Sequence, residues 1–283
     1  MKVAVIADIH ANLVALHAVV ADIETWHADK IVVAGDIVNR GPRPKECFDF
    51  VQAKVENDGW LALSGNHEEF VAKLARQLQN SRCTPINPRQ YDFLRPVYWT
   101  AKKLFPELSE MEALPFSQTV SAPDGSELHI VHASMRGNRD GIYPETSDDT
   151  LRTQIAPSAA VFCVGHTHRP LIRRVDSTLV VNVGSVGLPF DGDTRAAYGR
   201  ITWDDGNWRA EIRRVAYDLQ QAEHDFWQTG FMEEGGPLTQ VMLAELRSAR
   251  SLLYVWTKHY ETPVLAGHLS MAQAVDDYLI SLA

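Results

Sequence analysis

Short apolar runs alternate with amphipathic segments over the first third of the chain. Residues 2–7, 30–34 and 60–63 are β-rich runs that each end in small or polar residues. The segment after the first run has helical periodicity, with one apolar face made by Leu13, Leu16, Val19, Val20 and Ile23. Helices are expected over about 44–53 and from about residue 69. This alternation predicts a mainly parallel sheet whose polar loops share one edge.

The middle of the chain changes pattern twice. Residues 69–115 are helical but interrupted, and the prolines that interrupt them are Pro85, Pro88, Pro96 and Pro106. This segment is expected to form either a cap over the third loop or a packed helical layer. Two strands, 116–121 and 127–131, then flank a Pro-Asp-Gly turn and predict a hairpin. A short helix is expected over 148–155.

Further strands follow, and a helical tail ends the chain. A buried strand is predicted over 161–164, and hairpin strands over 171–175, 178–182, 197–203 and 208–215. Residues 218–283 are expected to be a helical extension of a main domain formed by residues 1–217. One long helix in this tail has an apolar face made by Leu238, Val241, Met242, Leu246, Leu253, Trp256 and Tyr260. That face fits core packing or a homodimer contact.

Composition narrows the classes of protein that remain. The 283 residues carry a net charge of −9, which argues against broad binding of nucleic acid or anionic membranes. No apolar run approaches the roughly 20 residues of a membrane span. Asp8 interrupts the N-terminal run before a signal-peptide core could form, so a cytoplasmic protein is expected. Cys47, Cys83 and Cys163 are widely spaced, which predicts free thiols and no thiolate metal cluster.

Metal-ligand residues follow five of the predicted strands. The five motifs are Asp8-x-His10, Gly35-Asp36, Gly65-Asn66-His67-Glu68, His132 and Gly165-His166-x-His168. Such oxygen and nitrogen donors suit manganese, iron, zinc, nickel or cobalt and suit calcium poorly. The candidate ligands are Asp8, His10, Asp36, Asn66, His132, His166 and His168. Seven donors are too many for one tetrahedral ion but fit two ions that share a carboxylate, hold a bridging hydroxide and clamp a phosphoryl oxygen.

The ordered set of motifs resembles the calcineurin-like metallophosphoesterase superfamily over roughly residues 2–168. The resemblance implies a four-layer α/β/β/α sandwich with the metals at the strand ends. It implies that Asp8, His10 and His168 bind the first metal, that Asp36 bridges, and that Asn66, His132 and His166 bind the second. Two divalent transition-metal ions are expected, manganese first among them.

The resemblance also assigns roles beyond the metal ligands. His67 would protonate the leaving oxygen or stabilise the phosphoryl group, and Arg40 is similar to the phosphate-binding arginine of the protein-phosphatase branch. That branch has an aspartate where this chain has Asn39, so the chain is more similar to the bacterial and archaeal phosphodiesterase-like branch. The Asn39 carbonyl is expected to accept a hydrogen bond from His67. Ala133 replaces a glycine that many relatives carry, and only a local backbone change is expected there.

Simpler interpretations exist for some of these residues. Asp8 fits a helix cap, and Arg40 fits a solvated surface residue. Glu68 fits either a support for the site through hydrogen bonds from behind the ligands or a solvent-facing side chain. The function expected is a phosphodiesterase in which a metal-bridging hydroxide attacks phosphorus in line, acting on a small phosphoester, nucleotides included. The alternatives are a phosphomonoesterase, a dinucleoside polyphosphate hydrolase, or a catalytically silent metal-binding scaffold.

Overall fold

The structure is a computed structural model, and it describes residues 1–79, 87–105 and 108–282. The strands are β1 (Lys2–Ile6), β2 (Lys30–Ala34), β3 (Leu61–Leu63), β4 (Ser117–Ser121), β5 (Glu127–Val131), β6 (Val161–Val164), β7 (Leu171–Val175), β8 (Thr178–Asn182), β9 (Ala196–Asp204) and β10 (Asn207–Val215). The helices are α1 (Leu13–Trp26), α2 (Pro44–Asp58), α3 (Asn66–Gln79), α4 (Pro88–Leu104), α5 (Leu108–Glu112), α6 (Asp148–Gln154), α7 (Leu219–Gln228), α8 (Phe231–Glu234), α9 (Leu238–Ser248), α10 (Leu252–Ala266) and α11 (Met271–Ser281). Cys83, Pro85 and Pro106 lie outside the described residues.

Two five-stranded sheets form the centre of the fold. Their strand orders are β10-β9-β1-β2-β3 and β4-β5-β6-β8-β7. In the first sheet β1, β2 and β3 are parallel, and in the second β5, β6 and β8 are parallel. The predicted hairpins β4/β5, β7/β8 and β9/β10 all form as antiparallel pairs. The carboxyl ends of the parallel strands bring the five motifs to one edge of the sandwich.

The alternation of side chains along each strand builds the layers. Val3 and Val5 of β1 face the second sheet, where they meet residues such as Ile130 and Cys163. Ala4 and Ile6 face the other way, onto the helices. The outer face of the second sheet is covered by residues of α6 and the segments beside it, including Leu151 and Ile155. The predicted order helix, sheet, sheet, helix is therefore confirmed.

Three predicted helices differ from the structure by more than one residue. Helix α2 extends to Asp58, five residues past the predicted end, and Gly59 in the left-handed conformation ends it. Helix α3 begins at Asn66, so Asn66, His67 and Glu68 form its first turn. The single long helix expected in the tail is two helices, α9 and α10, because Ala249 adopts a φ of 51° and breaks the helical path.

The helical tail packs against the rest of the chain. Met242 and Leu246 of α9 share an apolar cluster with Trp99 of α4 and with Leu188. Trp256 of α10 is fully buried in a second cluster within the tail. Most of the predicted apolar stripe is thus core, with Leu253 and Tyr260 partly buried.

Two further expectations concern thiols and membranes. Cys47 and Cys163 are free, as predicted, and both are buried. Burial raises the pKa of both thiols. Among the described residues, none of the helices has the length and apolar character needed to cross a bilayer.

Candidate metal centre

The predicted ligands meet in two groups at the carboxyl edge of the sheets. Asp8, His10 and His168 place ligand atoms within 4.8 Å of one another. Asp36, His132 and His166 form a second group by the same measure. Strands β1 and β6 therefore supply the first group, and β2, β5 and β6 the second. All seven predicted ligands lie at this edge, since Asn66 Oδ1 is 3.0 Å from His132 Nε2.

Asp36 lies between the two groups. Its Oδ2 atom is 3.7 Å from His10 Nε2 and 3.4 Å from His132 Nε2. Its Oδ1 atom accepts a hydrogen bond of 2.8 Å from the His67 backbone N–H at the start of α3. One carboxylate oxygen is therefore held by the backbone while the other faces imidazoles of both groups, which is the arrangement expected of a bridging ligand.

Asp8 is held in the same manner. The His166 N–H donates to its Oδ2 atom over 2.8 Å. Its Oδ1 atom is buried without a hydrogen-bond partner and lies 3.2 Å from His168 Nε2. A helix cap is provided by Asn12, whose side chain accepts from the Ala15 N–H. Because a buried orphan carboxylate oxygen is costly, Asp8 Oδ1 suits a cation better than a capping role.

The imidazole tautomers provide a test of whether cations fit. His10 Nδ1 is 3.2 Å from the Asn39 carbonyl oxygen, and His168 Nδ1 contacts the Leu188 carbonyl oxygen. Carbonyl oxygens only accept, so both Nδ1 atoms carry the hydrogen and both Nε2 atoms present lone pairs. These two Nε2 atoms are 3.1 Å apart. Two facing lone pairs repel, and a cation between them turns the repulsion into ligation.

The second group has the same property. His132 Nδ1 lies 2.9 Å from the Ala34 carbonyl oxygen, so its Nε2 lone pair faces the acceptor oxygens of Asn66 and Asp36. Burial disfavours a charge on His132, but Asp36 and Asp8 raise its pKa to about 10. The surroundings therefore attract one positive charge, which a proton or a metal ion can supply. The donor set fits metal ions in both groups.

Three further histidines at the centre, His10, His67 and His166, have lowered pKa values and are held neutral. Burial and His168 hold the pKa of His10 well below its usual value. Burial lowers the pKa of His67 to about 4, and burial together with His132 lowers that of His166 to about 4. Neutral imidazole is the form that binds metal ions.

The backbone at these ligands is strained. Five of the seven predicted ligands have a positive φ: Asp8 (55°), His10 (47°), Asp36 (53°), His166 (67°) and His168 (56°). Left-handed conformations of such residues cost about 1–3 kcal/mol each and are concentrated at functional sites. The rest of the fold therefore holds these loops in a conformation that they would not adopt alone.

Two glycines allow the carboxylates to approach the backbone. A Cβ atom on Gly65 would lie 2.1 Å from Asp36 Oδ1, and one on Gly165 would lie 2.3 Å from Asp8 Oδ2. At both glycines the atom approached belongs to a carboxylate of the predicted ligand set. Any side chain at either glycine would displace a ligand carboxylate.

Glu68 braces the loop after β2. Its Oε2 atom accepts 2.8 Å bonds from the backbone N–H groups of Asp36 and Gly65, and its Oε1 atom accepts from Ile37 and Val38. Burial and the Asp36 carboxylate raise its pKa to about 7, and the backbone donors oppose that rise. Of the two interpretations of Glu68, the support from behind the ligands is the one found.

His67 is oriented by Asn39, in a different way from that predicted. Asn39 Oδ1 accepts from the Arg40 backbone N–H at 2.9 Å, so its amide nitrogen faces His67 Nδ1 at 2.7 Å. The amide donates to the histidine, and the expected bond to the Asn39 carbonyl is wrong. His67 then carries its hydrogen on Nε2, which lies 3.9 Å from Asp36 Oδ2. His67 also lies within 4.8 Å of ligand atoms of His10 and Asp36.

Arg40 is partly buried beside the centre and has two partners. Its Nη2 atom lies 2.5 Å from Glu245 Oε2 of α9, and its guanidinium lies 5.4 Å from the centre of the Phe190 ring. Glu245 is fully buried and was not anticipated from the sequence. No local motif marks it, since it lies in an ordinary amphipathic helix.

The loop after β8 supports the Asp8 loop. Ser185 Oγ donates to the Asp8 carbonyl oxygen at 2.7 Å and accepts from the Leu188 N–H at 2.8 Å. Asn12 donates to the Gly187 carbonyl oxygen at 3.0 Å. Ser185 thus has a structural role, consistent with the absence of a nucleophile motif around it.

The two-sheet sandwich and the paired ligand groups define a class of metal-dependent phosphoesterases. A family profile described as the calcineurin-like phosphoesterase superfamily domain matches residues 1–206. The chain belongs to this superfamily and is a phosphoric ester hydrolase. Members of the family generally use two metal ions, and the residues found here fit that requirement.

Two proteins of similar sequence and one similar crystal structure support this assignment. The chain is 28% identical over 243 residues to an uncharacterised protein of Methanocaldococcus jannaschii, covering 78% of this chain and 89% of that protein. It is 28% identical to the symmetrical bis(5'-nucleosyl)-tetraphosphatase of Nitrosospira multiformis, covering 77% and 83%. The crystal structure of a metallophosphoesterase of Sphaerobacter thermophilus matches with a TM-score of 0.67 and 28% identity, covering 88% and 100%.

Proposed function

We propose that this chain is a phosphodiesterase that works with two divalent transition-metal ions, manganese first among them. Asp8, His10 and His168 would hold one ion, Asn66, His132 and His166 would hold the other, and Asp36 would be shared by both. The observation that carries the proposal is the position of Asp36 Oδ2, within 3.7 Å of imidazoles from both groups. Two such ions would supply charge neutralisation at the phosphoryl oxygens and a water nucleophile that ionises near neutral pH.

The remaining steps belong to side chains of this chain. A phosphorus–oxygen bond forms to water and the bond to the leaving alcohol breaks. His67 donates a hydrogen bond from its Nε2–H to the leaving oxygen and stabilises its developing charge, and that oxygen takes up its proton from solvent. Arg40 takes up charge on the phosphoryl group. Asn39 orients His67 without adding negative charge, which favours diesters over the phosphoprotein chemistry of the branch that carries aspartate there.

A substrate panel on chelated protein reloaded with manganese tests this function. We expect cleavage of bis-aryl phosphate or cyclic nucleotides to exceed cleavage of monoesters. Asp36→Asn and His166→Ala should abolish turnover at every metal concentration. Asp49→Asn, a change at an exposed residue of α2 paired with Lys45, is the control and should retain it. Turnover retained by Asp36→Asn would contradict a bridging carboxylate.

A second candidate is hydrolysis of dinucleoside polyphosphates. The observation that favours it is the 28% identity to a symmetrical bis(5'-nucleosyl)-tetraphosphatase. The same panel decides, since diadenosine tetraphosphate would then be cleaved faster than any diester. Metal binding without turnover of any substrate in the panel would instead favour a scaffold role, and a His67→Ala variant that behaves like the wild type in both respects would agree with it. Three expectations stay predictions: a domain boundary after residue 217, a cytoplasmic location and a homodimer.

A further inference from the structure

A cavity opens directly beside the proposed catalytic residues. It has a volume of about 350 Å³, and Asn39, Arg40 and His67 form the wall that faces the metal centre. Helices α3 and α4 also supply Phe70 and Phe93 to its lining. A group bonded to a phosphate at the centre, on the side of His67, would extend into this space.

The cavity is largely apolar. Aromatic side chains line it from three helices, since Tyr254 of α10 joins the two phenylalanines. Of its described lining residues, the cationic ones are Arg40 and Arg139, and Arg40 is already paired with Glu245. A polyphosphate chain needs several unpaired cations along its path, and this cavity does not provide them. Stacking on a flat ring is the interaction that its walls favour.

The size of the cavity limits what it can hold. Ligand sites range from about 300 to 1,000 Å³, so this one lies near the lower end and fits one ring system. A wider cavity of about 660 Å³ lies elsewhere, lined by Trp227, Met232 and Leu243 among others, and it contains none of the predicted site residues. Of these two cavities, the smaller one adjoins the reacting atoms.

Much of the cavity is built by the helical tail. Leu238 and Met242 of α9 and Leu253, Tyr254 and Thr257 of α10 line it, and all of them follow the region that matches the superfamily profile, residues 1–206. The superfamily region alone would leave this side of His67 open. The tail therefore shapes the surface that meets the leaving group.

We propose that this cavity binds the alcohol side of the substrate, and that this alcohol carries a single flat aromatic ring system. The inference rests on the proposed function, because it takes His67 as the residue that faces the leaving oxygen. It narrows the substrate class to phosphoesters of aryl or single-nucleoside alcohols. Diadenosine polyphosphates fall outside that class on both size and charge.

The test compares three ligands on the manganese-loaded protein by calorimetry. 1-Naphthylphosphonate has the ring and the anion, methylphosphonate has only the anion, and 1-naphthol has only the ring. Thr257→Trp fills the cavity, whereas Val255→Trp places the same side chain on the exposed face of α10, where Val255 is 39% exposed. We expect Thr257→Trp to weaken binding of both naphthyl ligands at least tenfold and to leave methylphosphonate unchanged. Val255→Trp should change none of the three.

A second variant tests the cavity even if Thr257→Trp does not fold. Tyr254 is 61% exposed, so Tyr254→Ala should fold normally, and we expect it to weaken both naphthyl ligands several-fold through loss of stacking. Equal naphthyl affinity in wild type, Thr257→Trp and Tyr254→Ala would overturn the cavity assignment. Absence of methylphosphonate binding and of diester hydrolysis would instead overturn the proposed function, and 1-naphthol would still report on the cavity.

Discussion

Arg40 and Glu245, 205 residues apart in the chain, form an ion pair with Nη2 and Oε2 2.5 Å apart. Glu245 is fully buried, and its other oxygen accepts a 2.8 Å bond from the Leu253 N–H at the start of α10. One carboxylate therefore joins α9, α10 and the loop after β2. The proposed phosphate-binding arginine is positioned by the helical tail.

We expect the pair to show strong coupling in a double-mutant cycle. Removing one partner of a buried pair leaves the other uncompensated, at a cost of about 3–5 kcal/mol. Glu245→Ala and Arg40→Ala should each destabilise the protein, and the double variant should lose less than the sum, by about 1–3 kcal/mol. Urea unfolding of the four proteins measures this. Strict additivity would show that the contact contributes nothing to stability.

The contact between Arg40 and Glu245 could not be predicted from the sequence, whereas the metal ligands could. The ligands were predicted because each follows a short apolar run within a few residues, so its position is a local property of the sequence. Glu245 has no such local signal, because its partner lies 205 residues away. Only the packing of α9 against the loop after β2 brings the two together.

Element boundaries were also predicted well where the signal is local and missed where tertiary contacts decide. Strands β5, β7 and β8 were predicted residue for residue, since turn residues bound each of them. The break between α9 and α10 was missed for two reasons. The helical spacing of apolar residues continues across it, and alanine is not a residue that indicates a left-handed conformation. Ala249 is fixed there by its N–H bond to the Glu245 carbonyl and by a 3.0 Å bond from the Gly192 N–H to its own carbonyl. Tertiary contacts thus override the local preference.

Glu68→Gln should weaken metal binding. Both Glu68 oxygens accept from backbone N–H groups, and the glutamine amide nitrogen would face two of these donors. We expect the loop that carries Asp36 to shift and metal affinity to fall about 10- to 100-fold. Calorimetric titration with manganese measures it, with Glu110→Gln on an exposed part of α5 as the control. Unchanged affinity would mean that Glu68 supports only the fold.

Asn39→Asp should reverse the tautomer of His67. The wild-type amide donates to His67 Nδ1, so the imidazole hydrogen is on Nε2. A carboxylate at the same place accepts, and the hydrogen should move to Nδ1. Nitrogen NMR of labelled histidine distinguishes the two tautomers, and Asn138→Asp is a control because Asn138 contacts Glu69 and does not contact His67. A wild-type Nδ1–H signal would refute the assignment of the Asn39 amide.

Asp22 should make stability depend on pH at the acidic end. Burial opposes its ionisation, but hydrogen bonds from Arg213, Tyr198 and Arg200 outweigh this and lower its pKa below the usual value. A carboxylate with a lowered folded pKa contributes stability that is complete above its unfolded pKa, about 3.9, and is lost as pH falls through the folded value. Asp22→Asn should therefore cost about 1–2 kcal/mol at pH 7.

The cost should shrink as the pH falls below about 4, because the carboxyl of the unfolded chain is protonated first and the folded carboxyl follows as the pH reaches its lowered pKa. Urea unfolding at pH 7 and at pH 3 measures the difference between Asp22→Asn and wild type. Asp49→Asn, which pairs with Lys45 on an exposed helix face, should show little difference at either pH. If Asp22→Asn costs the same at both pH values, the stabilisation comes from packing or from hydrogen bonds of the neutral group. Charge would then have no part in holding β9 and β10 to α1.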